Sequence, residues 1–274
     1  MPGSADWRSP VMVRSDPAAF PINNGITFDS AAKVAGTGFA PELMYNAHNT
    51  SELPGAEFTV IPNDGISFPE TGRQIISFMS VNNWKNGTWR TNYAGLAFSD
   101  NGNDFIRADD LKWMNNSTGT SPHQMWSMQR DGNYVYIFSV ANGRDLSLGI
   151  HLRRVHWERM FWPREYQSWN GSTWVTGMGT KPLINGRFSE PSVKKLGSVW
   201  AMSYIDPVNH QLVTRKATKP TGPWSEPKVQ ISSTNIQGIY GGFIHPYSTP
   251  DNLHMLISQW NDSEYCVKQY VGKL

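Results

Sequence analysis

The sequence has few charged residues and a single cysteine, and both shortages exclude classes of function. Only 17% of the 274 residues are charged, and the net charge is +2. No cluster of Lys and Arg alternates with aromatic residues, so no nucleic-acid partner is expected, because binding a phosphate backbone requires a strongly basic surface. The lone Cys266 rules out an intrachain disulfide framework and is expected to pack as a small buried hydrophobe.

Long apolar runs and metal-binding spacings are also missing. The first twenty residues carry charges throughout, so neither a secretory signal nor membrane insertion is predicted from them. The seven His residues show no ligand spacing such as His-x-x-x-His beside a carboxylate. The spacing of the His residues therefore supports no metal site, although a metal stays possible, and no cofactor is expected.

A strand pattern recurs four times along the chain. The central apolar runs are Ile75 to Val81, Tyr134 to Val140, Val199 to Ile205 and Leu253 to Gln259. The runs that follow them are Asn92 to Ser99, Leu146 to Val155, Gln211 to Thr218 and Glu264 to Val271. The short segments that precede them are Glu57 to Ile61, His123 to Met128, Phe188 to Val193 and Gly241 to Ser248. Strand-only repeats of about 40 to 50 residues or more are typical of a β-propeller.

A fifth copy at the N-terminus has lost its first half. The sequence therefore predicts an all-β fold, a five-bladed β-propeller with an incomplete first blade. No Ser/Gly-rich or charge-dense linker divides the chain, so a single domain over residues 1–274 is expected. Residues 1–50 would be the remnant of blade one and connecting loops.

In a propeller the innermost strand of each blade ends at a central funnel, where residues from different blades converge. Taking the segment before each central run as innermost brings Glu57, His123, Glu190 and His245 to that funnel. Two carboxylates facing each other, with His nearby, suit glycoside hydrolysis, which needs one protonated and one ionised carboxyl group. Alternatively, each Glu accepts backbone N–H bonds or pairs with an Arg, and each His is hydrogen-bonded in a turn.

Aromatic and polar side chains accompany these candidates. The aromatic residues in or beside loops are Trp84, Trp89, Tyr93, Trp126, Tyr240, Tyr247 and Trp260, and the polar ones are Asn82, Asn83, Arg90 and Asn92. Exposed rings can stack on sugars, which favours a binding groove, although most propeller aromatics fill the space between blades. The Asp-box-like turn at Ser99 to Gly102 is expected to be structural, with Asp100 capping it and Gly102 at positive φ.

Several segments of the chain resemble the actinobacterial endo-D-arabinanase family, formerly a domain of unknown function. The matching segments are Asp6 to Ser9, Glu57 with Thr59 to Pro62, Phe78 to Val81 followed by Trp84, Thr91 to Asp100, Gly186 to Val193, Thr221 to Pro227, and Tyr240 to Pro246. The resemblance implies a five-bladed propeller that hydrolyses the D-arabinan of mycobacterial arabinogalactan and lipoarabinomannan. Members occur in actinobacteria and in phage tail proteins, so the resemblance also implies an extracellular, cell-envelope or virion location.

The chain departs from this family at its N-terminus. Family members start with Gly-Thr-Asp-Leu-Gly and Gly-Asp-Thr strands that carry the expected catalytic aspartates, and neither motif occurs here. Val11 to Ser15 would then be the third strand of a blade that lacks its first two. The gap would be closed by the C-terminal strands or by another chain, or else this is a fragment of a longer protein.

The sequence leaves three functions open. In the first, the chain cleaves D-arabinan, with Glu190 as the acid and Glu57 as a base or a neighbour that sets its pKa. Substrate binding is then predicted for His245, His123, Trp84, Arg90, Asn92, Tyr93, Asn83 and Tyr240. In the second, a binding module, for example in a virion tail, holds cell-wall polysaccharide without cutting it. The third is a purely structural role, because a fold by itself carries no function.

Overall fold

The structure, a computed structural model, describes residues 8–33, 40–82, 90–142, 147–179, 181–261 and 265–274. The chain divides into two compact units, Met1–Asn115 (unit 1) and Asn116–Leu274 (unit 2). Both consist mainly of antiparallel strands, and the described helices are short 3-10 turns at Ile22–Asn24, Trp157–Arg159 and Pro163–Glu165. Within the described ranges, no helix has the length and apolar character needed to cross a bilayer.

Unit 1 contains a two-stranded ribbon and a four-stranded sheet. The ribbon pairs β1 (Val13–Arg14) with β2 (Ser30–Ala31), and the sheet has the order β3 (Thr59–Phe68), β4 (Arg73–Val81), β5 (Thr91–Ser99) and β6 (Ile106–Met114). The central strands β4 and β5 supply the buried Phe78 and Ala97. Ala32 and Leu43, which follow the ribbon in sequence, pack against these side chains, so the N-terminal segment shares the core of the sheet.

Unit 2 contains three sheets whose strands follow one another in space as in sequence. The first sheet comprises β7 (Met125–Asp131), β8 (Tyr134–Val140), β9 (His151–His156), β10 (Gln167–Trp169) and β11 (Trp174–Thr176). The second comprises β12 (Ser189–Leu196), β13 (Val199–Asp206), β14 (Gln211–Ala217) and β15 (Lys228–Ser232). The third comprises β16 (Ile239–Ile244), β17 (Leu253–Trp260) and β18 (Tyr265–Gly272).

Two-residue hairpins begin the first two sheets of unit 2. Asp131 pairs with Tyr134, and Leu196 pairs with Val199, which leaves two-residue loops that start with glycine. Gly132 has φ +58° and Gly197 φ +64°, the positive values that such tight hairpin turns require. These glycines set the register that places each apolar run in a central strand.

The first strands of the three sheets in unit 2 lie next to one another. The Val193 N–H on β12 donates to Ser127 Oγ on β7 over 2.8 Å, and the Ile244 N–H on β16 donates to Ser192 Oγ on β12 over 3.0 Å. This arrangement is propeller-like, and for the three sheets of unit 2 it agrees with the prediction that the segment before the central run is the innermost strand of a blade.

The predicted strand triplets are all found, and the described strands form four blades where five were predicted. Each of the four central runs forms the second strand of a meander sheet, between a first and a third strand. In place of the incomplete first blade, the described N-terminal residues form the ribbon, in which Val13 pairs with Ala31. The prediction of one domain over residues 1–274 stays a prediction.

The Asp-box-like turn is structural, but Asp100 does not act as its cap. Gly102 has φ +72° as predicted. Asn101 holds the turn instead, because its Oδ1 accepts the backbone N–H groups of Asn103 and Asp104 over 2.8 and 2.9 Å. Asp100 is exposed and forms an ion pair with Arg73 over 2.6 Å.

Candidate functional site

Glu57, the predicted base, is held in unit 1 by a buried ion pair. Its Oε1 and Oε2 accept hydrogen bonds from Nη1 and Nη2 of Arg107 over 2.7 and 3.1 Å. The Ala47 N–H also donates to Oε1 over 3.2 Å. Burial by itself would lower the pKa of Arg107, but the hydrogen bond and charge of Glu57 outweigh it and raise the pKa. This is the geometry of the alternative in which Glu57 pairs with an Arg.

Tyr93 joins this ion pair, whereas Arg90 and Asn92 make separate contacts. The Tyr93 hydroxyl bonds to Arg107 and lies 3.4 Å from Glu57 Oε2, and burial raises its pKa to about 12. Asn92 Nδ2 donates to the Ala56 carbonyl and to Ser80 Oγ, which anchors the start of β5. Arg90 is exposed. Asn83 and Trp84, also predicted to bind substrate, lie outside the described residues.

Glu190, the predicted acid, begins β12 in an unusual backbone conformation. Its φ is +51°, in the left-handed region that side-chain-bearing residues seldom occupy. The next residue is Pro191, which normally forces its predecessor into extended conformations, so the backbone is disfavoured on two grounds. The register against β13 shifts between Ser189 and Ser192, and this irregularity contains Glu190. Strain of this kind concentrates at functional sites.

The side chain of Glu190 is half-buried and lies close to β16 and β17. A Cβ atom on Gly241 would lie 3.3 Å from Glu190 Oε2 and equally far from Ser258 Oγ, so the glycine leaves room for the carboxylate. The Tyr240 hydroxyl donates to the Tyr265 hydroxyl over 2.6 Å. Burial, the bond with Tyr265 and, to a smaller extent, the charge of Glu190 raise the pKa of Tyr240.

The two predicted site histidines of unit 2 have different surroundings. His245 is half-buried, and its Nδ1 accepts the Tyr247 N–H over 3.2 Å, as expected for a turn histidine. His123 is only 3% exposed, and its Nδ1 lies 3.2 Å from Ser139 Oγ. Burial and the charge of Arg153 lower the pKa of His123, so its ring is neutral at physiological pH.

Within each unit the structure brings some of the predicted residues together. Glu57 lies with Tyr93 in unit 1, and Glu190 lies with Tyr240 in unit 2. A funnel that combines both carboxylates stays a prediction. Sequence reasoning missed Arg107 and Tyr265, because neither adjoins its partner in the chain and no motif marks them.

No group of three or more His, Cys, Asp or Glu side chains able to hold a metal ion occurs among the described residues. The candidate chemical groups of unit 2 are Glu190, the nearby Tyr240 hydroxyl, and the Tyr265 hydroxyl to which Tyr240 donates.

Comparison with known structures defines the class of fold. The crystal structure of an exo-β-1,3-galactanase from Phanerochaete chrysosporium with β-1,3-galactotriose matches with a TM-score of 0.59 at 12% identity, over 90% of this chain and 51% of that chain. An exo-1,5-α-L-arabinanase from a bovine ruminal metagenomic library matches with a TM-score of 0.56 at 9% identity, over 95% of this chain and 87% of that chain. The chain spans about half the length of the galactanase. Its fold is that of propeller glycosidases.

The family follows from sequence comparison. A model described as "Domain of unknown function (DUF4185)" matches residues 1–271, and the chain belongs to this family. Notoamide biosynthesis cluster protein J of Aspergillus sp. (strain MF297-2) is 45% identical over 271 residues, which is 94% of this chain and 72% of the relative. This relative is fungal, so the match gives no support to an actinobacterial or phage origin.

Proposed function

We propose that this chain is a glycosidase-type domain that cleaves D-arabinan or a closely related arabinan, with Glu190 as the central carboxylate. The observation that carries the proposal is the left-handed backbone of Glu190, which the chain maintains directly before a proline. The glycosidase-like fold gives the reaction class, and the resemblance of the sequence to endo-D-arabinanases gives the sugar. Such a substrate would place the protein at the cell envelope or outside the cell.

In this proposal Glu190 donates a proton to the glycosidic oxygen of the leaving group. The Tyr240 hydroxyl, which lies near Glu190, and the Tyr265 hydroxyl, to which it donates, bind sugar hydroxyls. The 73% exposed Tyr265 also presents a ring on which a sugar can stack. Glu57 remains the ionised partner of Arg107 and maintains the structure of unit 1, because Arg107 engages both of its oxygens.

A second candidate is a binding domain that holds the polysaccharide without cutting it. The geometry of Glu57 favours this alternative, since a carboxylate with both oxygens bonded to an arginine is a poor base. Glycoside hydrolysis ordinarily requires a pair of carboxyl groups.

The deciding experiment measures reducing-sugar release and binding on the same substrates. Mycobacterial arabinogalactan, linear 1,5-α-L-arabinan and β-1,3-galactan would be incubated with the chain, with a Glu190→Gln variant and with the exposed control Glu226→Gln. Release that stops only in Glu190→Gln supports catalysis. Binding without release supports the second candidate, and neither binding nor release on any of the three refutes both.

A further inference from the structure

The outer strands of the first sheet in unit 2 carry a row of aromatic rings around one arginine. Tyr136 on β8, Arg154 on β9 and Gln167 on β10 are direct cross-strand neighbours, so their side chains share one face. Tyr134, Trp169 and Trp174 belong to the same face by the alternation of β8, β10 and β11. We call these six residues the outer aromatic row.

Arg154 is fixed in the middle of this row. Its guanidinium carbon lies 4.3 Å from the ring centroid of Tyr134 and 4.3 Å from that of Trp174, so the side chain is held between two rings. Nε donates to Gln167 Oε1 over 2.8 Å. Within the described part of the chain, the two terminal nitrogens of Arg154 make no hydrogen bond, so its fork of donors is available to a ligand.

The row is anchored at one end and accessible at the other. Tyr136 packs edge-on against Trp200 of β13, with ring centroids 5.3 Å apart, and Trp200 is only 1% exposed. The six residues of the row are themselves partly exposed. Trp169 and Trp174 lie 5.3 Å apart with their planes at 57°, which offers two ring faces in different orientations. Rings that only fill the space between blades are buried. The accessible rings on the outermost strands therefore favour a role in binding.

We propose that the outer aromatic row binds an acidic saccharide, a sugar ring that carries a carboxylate. The carboxylate takes two parallel hydrogen bonds from the terminal nitrogens of Arg154, and the apolar face of the sugar stacks on Trp174 or Trp169. A single-stranded nucleic acid also needs rings and arginines, but it needs a track of cations, and the row contains only Arg154. The charge of the row therefore matches a single carboxylate better than a phosphate chain.

Binding would be measured by isothermal titration calorimetry and by quenching of tryptophan fluorescence. The probes are trigalacturonate, the same trimer with its carboxylates reduced to alcohols, and oligothymidylate. We expect trigalacturonate to bind with a Kd at least about tenfold below that of the reduced trimer, the usual effect of one charge-assisted hydrogen-bonded pair. Equal binding of both trimers, no binding of trigalacturonate at millimolar concentration, or a preference for oligothymidylate would overturn the proposal.

Three variants connect this binding to the row. Arg154→Met keeps the length of the side chain and removes its charge, so it should abolish the preference for the acidic trimer. Trp174→Ala, on the edge strand β11, should weaken the binding of both trimers. Trp162→Ala replaces a 56% exposed tryptophan outside the row and should change the binding of neither trimer. Circular dichroism would verify the fold of each variant. If folded Arg154→Met and Trp174→Ala both bind as the unaltered chain does, the row is not the site.

Glu190 is intact in all these variants, so the release of reducing sugar tests the proposed function independently of this site.

Discussion

Replacing Glu57 by glutamine should destabilise unit 1 strongly, because it removes the buried carboxylate of Arg107 and leaves the guanidinium with the exposed Asp109, 3.3 Å from Nε. The Arg107 and Glu57 side chains are only 6% and 9% exposed. Arg107 also lies over the ring of Phe78, 5.0 Å from its centroid, so it cannot reach water without disturbing the core. Breaking a buried pair of this kind costs about 3–5 kcal/mol, whereas replacing both partners by apolar residues costs much less.

The measurement is urea unfolding followed by tryptophan fluorescence for Glu57→Gln, Arg107→Met and the double variant Glu57→Leu/Arg107→Met. We expect each single variant to lower the free energy of unfolding by about 3–5 kcal/mol. The double variant should lower it by less than the two single losses added together. Asp100→Asn is the matched control. It breaks the Arg73–Asp100 pair, whose side chains are 39% and 58% exposed, and should change little.

The result that would refute this reasoning is a Glu57→Gln variant as stable as Asp100→Asn. If that stable variant also lost all sugar release, Glu57 would be a catalytic group, as the sequence predicts for the cleaving alternative.

The remaining predictions concern strain, packing and pH. Glu190→Gly removes the penalty of the left-handed backbone, so urea unfolding should show a gain of about 1 kcal/mol while sugar release is lost; a loss of stability would contradict the strain argument. Gly95→Ala would place a Cβ 2.6 Å from Cζ of Phe78 in the core, and thermal unfolding should show a loss of about 1–3 kcal/mol; an unchanged Tm would show that the ring moves freely. Burial lowers the pKa of His123 and of His151, so these two rings bind protons more readily in the unfolded chain than in the folded chain. Stability should therefore fall as the pH drops below about 6.5, by up to about 1.4 kcal/mol per pH unit for each ring, and His151→Gln should flatten that slope in unfolding titrations.

The strands were predictable because each central run pairs with a strand along both edges and buries most of its side chains, which requires an apolar segment. Tyr134 to Val140 illustrates this, since the predicted run and strand β8 coincide. The partner of Glu57 was not predictable, because Arg107 on β6 lies 50 positions away in the chain and no sequence motif connects the two.

The backbone of Glu190 contradicts local sequence rules. A residue before proline is predicted to be extended, and the observed φ of +51° arises because the bulge against β13 and the packing of β12 determine the conformation. At this position tertiary packing outweighs the local conformational preference. Sequence-based prediction is expected to fail at positions of this kind, which are commonest at functional sites.

The β10–β11 hairpin lengthens the first sheet of unit 2 to five strands, and it contributes both tryptophans of the outer aromatic row. Because this hairpin is an addition at the sheet's outer edge, substitutions in it leave the first strands untouched. Evolution can therefore change the ligand proposed for this edge without altering the chemistry proposed for Glu190, and a protein engineer can graft or exchange the hairpin in the same way.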